Sequence, residues 1–142
     1  MEYEKAKREL KSYRFFEIRT KAQLEEIYRL DAQSKKVTST ISGMPTANDP
    51  HRLEDVWTKY IDETNKLVEY LSKDTENKET IRKKLDVLKN INQEAETILE
   101  ERYINNKRIW EISNTMYESI PTIKRKIRKA IILYANIEEK VT

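Results

Sequence analysis

The sequence has no cysteine, a single glycine and only three prolines in 142 residues. Without cysteine there is no disulfide framework and no thiolate metal site. With so few turn residues, an architecture of hairpins and sheets is excluded in favour of helices. Histidine is nearly missing as well: His51 has no second His or Cys with which to share a metal, and reads as a helix-start residue. No run of eighteen apolar residues occurs, and Met1 is followed by Glu-Tyr-Glu-Lys rather than an apolar signal region. The expectation is a soluble cytoplasmic protein.

Charge is what the chain has in excess. Asp, Glu, Lys and Arg make up 37%, against a usual quarter, and apolar residues only 37%, against a usual half. One large spherical core is therefore out of reach, although regularly recurring Leu and Ile exclude wholesale disorder. The net charge of +3 hides an asymmetry. Residues 1–106 hold 20 Lys/Arg against 21 Asp/Glu, whereas residues 107–129 hold seven cations against two carboxylates. A basic segment beside a neutral arm points to a polyanion partner, the plainer alternative being a solvated helix face.

Residues 2–38 contain neither Gly nor Pro and read as one helix, on the order of 55 Å long. Its sparse stripe of Leu10, Tyr13, Leu24, Ile27 and Leu30 is closer to a coiled-coil seam than to a wide amphipathic face. Gly43, Pro45 and Pro50 then break the pattern within a loop at 39–50, with Asp49 placed to cap the next helix. Helical spacing resumes at 51 and runs to 91. Its polar stretch 72–79 lacks Gly and Pro, which favours one continuous helix over a break capped by Asp74 or Thr75. Two long helices joined by a short loop fold back antiparallel. Because narrow stripes bury little area, self-association is expected, most simply as a homodimer.

Beyond 92 the helices shorten. Ala95, Ile98, Leu99, Tyr103 and Ile104 mark the first, ended by Asn105-Asn106, and Ile109, Ile112 and Met116 mark the second. Ser119 opens the third as N-cap, with Pro121 in its first turn. Ile123, Ile127, Ala130, Ile131 and Tyr134 share one side of that helix. Pro121, Thr122, Lys124, Arg125, Arg128 and Lys129 fall largely on the other. Three short helices with a tight turn before a basic third form a helix-turn-helix pattern suited to a major groove. Thr122 and Arg125 lie early enough to reach base edges, while Lys107, Lys124, Arg128 and Lys129 suit phosphates.

These residues carry a resemblance. Tyr103-Ile-Asn-Asn-Lys-Arg-Ile-Trp-Glu-Ile-Ser113 and Tyr117-Glu-Ser-Ile-Pro-Thr-Ile-Lys-Arg-Lys-Ile-Arg-Lys-Ala-Ile131 resemble the sigma-70 region 4 helix-turn-helix. The version most similar is that of ArpU- and RinA-like regulators of phage late genes. Ile112, Ser119, Ile123, Arg125, Ala130 and Ile131 hold that motif's places, and Thr38-Ser-Thr-Ile-Ser-Gly-Met-Pro45 resembles the Gly-Met-Pro loop of such proteins. There are departures. Ser113 stands where Ala is usual, Ile109 where an aromatic is usual, with Trp110 one place on. Tyr117 holds the turn position of a Gly, where a left-handed backbone costs on the order of 1 kcal/mol.

The expected fold is all-α: a coiled-coil-like hairpin over 1–91, acting as an oligomerisation or partner-binding arm, and a DNA-binding domain over 92–142. The expected function is sequence-specific transcriptional regulation of phage or prophage late genes. Double-stranded DNA is the partner, and host RNA polymerase a further one, in the nucleoid of the bacterial host. A small-terminase-like packaging adaptor and a helical interaction scaffold are the alternatives. The carboxylate pairs Glu25/Glu26, Asp62/Glu63 and Glu100/Glu101 lie on charged helical faces, with no phosphate loop or nucleophile beside them. We expect neither an enzyme nor a cofactor. Trp57 and Trp110 are expected as core anchors.

Overall fold

The computed structural model describes residues 1–42 and 50–137, leaving aside the side chains of 37–42 and 50–53. The expected Gly-Met-Pro loop, the Asp49 cap and the His51 side chain lie outside the described residues. Among those described, all regular structure is helical and no strand occurs. The helices are α1 (Tyr3–Ser42), α2 (Pro50–Ile91), α3 (Gln93–Leu99), α4 (Ile109–Met116) and α5 (Ile120–Ala135). None of them is long and apolar enough to cross a membrane.

The lack of Gly and Pro inside α1 and beyond the first residue of α2 lets both run without a break. α1 continues to Ser42 rather than ending at Thr38. The polar stretch 72–79 is indeed helical, and Asp74 does not cap anything. Its carboxylate accepts hydrogen bonds from Arg19 Nη2 (3.0 Å) and Gln23 Nε2 (3.1 Å), which is how an acid only 2% exposed is satisfied. α2 stops at Asn92, whose extended backbone turns the chain and whose Oδ1 accepts from the Ala95 amide at 3.1 Å to start α3. α3 then passes into a single π turn, Glu100–Ile104, closed by the Asn105 amide on the Glu100 carbonyl at 2.9 Å.

Contacts divide the chain into two units, residues 1–17 with 76–142 and residues 18–75. In this division the beginning of α1 and the end of α2 share a unit with α3, α4 and α5. That first unit holds the core. Ala6, Leu10 and Tyr13 from α1 and Ile81, Leu85 and Leu88 from α2 pack with Ile98, Leu99, Ile112, Ile123, Ile131 and Tyr134. A polar contact runs through it. Lys84 Nζ lies 2.7 Å from Glu9 Oε1, to which the Tyr134 hydroxyl also donates at 2.8 Å. Arg82 Nε donates to the Tyr13 hydroxyl at 2.8 Å.

The second unit buries far less. Leu30 is its one buried apolar side chain among the described residues, while Leu24, Tyr28, Ile61, Val68 and Tyr70 stay exposed. The expectation that Trp57 and Trp110 anchor cores is corrected: they are 49% and 53% exposed. On α4 it is Ile109, one position earlier, that packs against the core, so the helix turns Trp110 outward.

Candidate nucleic-acid interface

The site is built on α5, and its position starts with the turn that precedes it. Tyr117 adopts the left-handed backbone (φ 55°, ψ 40°) at the end of α4, in the position where glycine is usual. The strain of a Cβ there is tolerated because the turn is closed on itself. The Tyr117 and Glu118 amides both donate to the Ser113 carbonyl, and the Ser113 hydroxyl donates to the carbonyl of Glu118. Ser113, the departure from Ala, therefore supplies a hydrogen bond that Ala has not got. Tyr117 is 95% exposed, so its ring meets no obstacle.

Ser119 caps α5. Its Oγ accepts from the Thr122 amide at 3.4 Å and shares a 2.7 Å hydrogen bond with the Thr122 hydroxyl, and Pro121 occupies the first turn where no amide is needed. Ile123, Ile127, Ala130, Ile131 and Tyr134 are buried, chiefly against α3 and also α4. The same turn spacing leaves Pro121, Lys124, Arg125, Arg128 and Lys129 exposed together. The helix has apolar and basic faces as its sequence suggests.

The cations are not equivalent. Lys126 Nζ lies 2.5 Å from both Glu94 and Glu118, which hold the ammonium charged well above its ordinary range, Glu118 foremost. Lys107 is likewise 2.5 Å from Glu101; each holds the other in its charged form. Lys124, Arg125 and Lys129 make no ion pair with any described residue, and Arg128 lies 5.9 Å over the Tyr3 ring. Neutralisation is thus concentrated on the α3 side of α5, where Glu94 reaches Lys126.

On the other side a groove of about 350 Å³ opens between α5, the first turns of α1 and the π turn. Tyr3, Tyr103, Ile109, Ile127 and Ile131 supply its apolar lining. Its remaining lining residues are Lys7, Arg102, Lys124, Arg125 and Arg128, with no carboxylate among them. Arg102 is held there by a 3.0 Å hydrogen bond from Nη1 to the Lys107 carbonyl. The sequence did not single out Tyr3, Lys7 or Arg102. Lys7 is one of 28 Lys and Arg residues, and nothing local separates it from the others. Arg102 lies in the π turn, a change of pitch that side-chain spacing does not announce.

Such an arrangement can hold a polyanion by charge and present a capped helix end to it, with Ser119, Thr122 and Arg125 foremost. Among the described residues no cluster of His, Asp or Glu is placed to hold a metal ion. Comparisons of the chain with protein-family models, with curated proteins and with solved structures return no match.

Proposed function

We infer that the chain is a sequence-specific DNA-binding transcriptional regulator, with α3, α4 and α5 forming a helix-turn-helix whose α5 enters the major groove. The observation that carries this reading is α5 itself: capped by Ser119, buried along Ile123, Ile127 and Ile131, and exposing Lys124, Arg125, Arg128 and Lys129 on one face. The tight turn at Tyr117 supports it. The resemblance to ArpU- and RinA-like proteins directs the proposal to phage or prophage late genes.

α1 and α2 would form an antiparallel hairpin, consistent with the pairing of Glu9 with Lys84 in the first unit and of Arg19 with Asp74 in the second. The exposed Leu24, Tyr28, Trp57 and Ile61 of the second unit suit a dimer contact or a polymerase surface on that arm. Cytoplasmic residence follows from such a role.

Thr122 and Arg125 read bases in this scheme, and Lys124, Arg128 and Lys129 hold phosphates, as does Lys107 beside its partner Glu101. Selection of bound fragments from the parent genome should give one preferred site. Against that site and random DNA, titrated at several salt concentrations, Arg125→Ala should flatten the preference, since an Arg–guanine pair contributes about 1–3 kcal/mol of discrimination. Lys129→Ala should weaken both DNAs by similar factors and lower the salt slope by roughly one. Equal loss on both DNAs from Arg125→Ala would remove its base-reading role.

A further inference from the structure

We propose that the groove beside α5 is a second DNA contact, seating a sugar–phosphate segment that flanks the bases read by α5, with Lys7 of α1 as its distal cation. The inference deepens the DNA-binding reading and rests on it.

Three observations lead there. The groove gathers Lys7, Arg102, Lys124, Arg125 and Arg128 without an opposing carboxylate, whereas the α3 side of α5 has its Lys126 neutralised twice. An anion is therefore attracted to the α1 side. The groove also carries an apolar lining that includes Tyr3, against which a deoxyribose can pack while the cations meet phosphate, a pairing that a bare inorganic anion does not use. Finally, Lys124, Arg125 and Arg128 belong at once to the groove and to the exposed face of α5, so a strand lying along that face leads into the groove without a gap. Lys7 lies on a different helix from those three and makes no ion pair with any described residue. Its charge has no other evident use.

The test uses the full-length chain and the site selected from the parent genome. Lys7→Gln keeps much of the side-chain length and removes the charge. It should weaken specific and random DNA by the same factor, about three- to tenfold, and lower the salt slope by about one, with the preference ratio unchanged. A series of duplexes, each with one methylphosphonate outside the selected bases, should contain one position that weakens the wild type but not Lys7→Gln. Circular dichroism and thermal unfolding of Lys7→Gln should match the wild type; if they do not, Lys7→Arg, which keeps the charge, should restore both fold and slope.

Wild-type binding with an unchanged affinity and slope in Lys7→Gln would overturn the second contact while leaving the regulator reading intact. No DNA binding by the wild type would overturn both. Competition by inorganic phosphate as effective as that by an equal concentration of DNA phosphate would mean a small-anion site instead, and would also overturn it.

Discussion

The two units differ in what they make of the same two helices. α1 and α2 carry a sparse apolar stripe throughout, yet in residues 1–17 and 76–91 the stripe is buried, and in residues 18–75 much of it is exposed. The difference lies in what else is present: the first unit adds α3, α4 and α5, whose buried side chains join Leu10, Tyr13, Ile81 and Leu88 in one cluster. A narrow stripe makes a core only where a further layer closes over it.

The sharpest way to break this comparison is to truncate one isoleucine in each unit. Ile98→Ala, in the first unit's core, should cost about 2–4 kcal/mol in urea unfolding, whereas Ile61→Ala should cost less than about 1 kcal/mol. Equal losses would erase the distinction.

Next come the two buried acids, which the units treat oppositely. Asp74 is held by Arg19 and Gln23, so Asp74→Asn should cost about 1 kcal/mol. Glu96 is buried beside another acid, Glu100, with Asp86 and Lys89 also nearby. Burial first, and then the hydrogen bond and charge of Glu100, push its carboxyl up to about 7 from the ordinary 4.5. The folded state thus holds a proton that the unfolded state releases, and the chain loses stability as pH rises from 4.5 through 7. Glu96→Gln should gain on the order of 1 kcal/mol at pH 8, after allowance for solvent screening, and nothing near pH 4. Thermal unfolding at both pH values reads the difference.

The smallest expected effect concerns the turn. Tyr117→Gly should stabilise the first unit by about 0.5–1 kcal/mol by removing the left-handed strain, less the entropy that glycine adds to the unfolded chain. A loss instead would mean that the exposed ring contributes a contact.

Much of the local structure was legible in the sequence. The Ser119 cap, the faces of α5 and the continuity of α2 follow from spacing and from the lack of Gly and Pro, all properties of neighbouring residues. Trp110 departs from expectation for a physical reason: a large apolar side chain raises the expectation of burial, but the register of α4 is set by Ile109, Ile112 and Met116, which leaves Trp110 facing out. What the sequence could not convey is long-range. That Tyr3 and Lys7 would come to line a groove with Lys124 and Arg128 depends on how α1 packs in the first unit, and no local pattern encodes it.

The hydrogen bond between Tyr134 and Glu9 spans 125 positions of chain, and this has a consequence for synthesis. A ribosome emits Ala6, Leu10 and Tyr13 long before Ile131 and Tyr134, so the cluster they share cannot close until α5 has emerged. Folding of the first unit then waits for α5, and is slow for a helical protein because its closing contacts are far apart in sequence. Nascent chains halted before Ile120 should therefore hold chaperones that chains including α5 release.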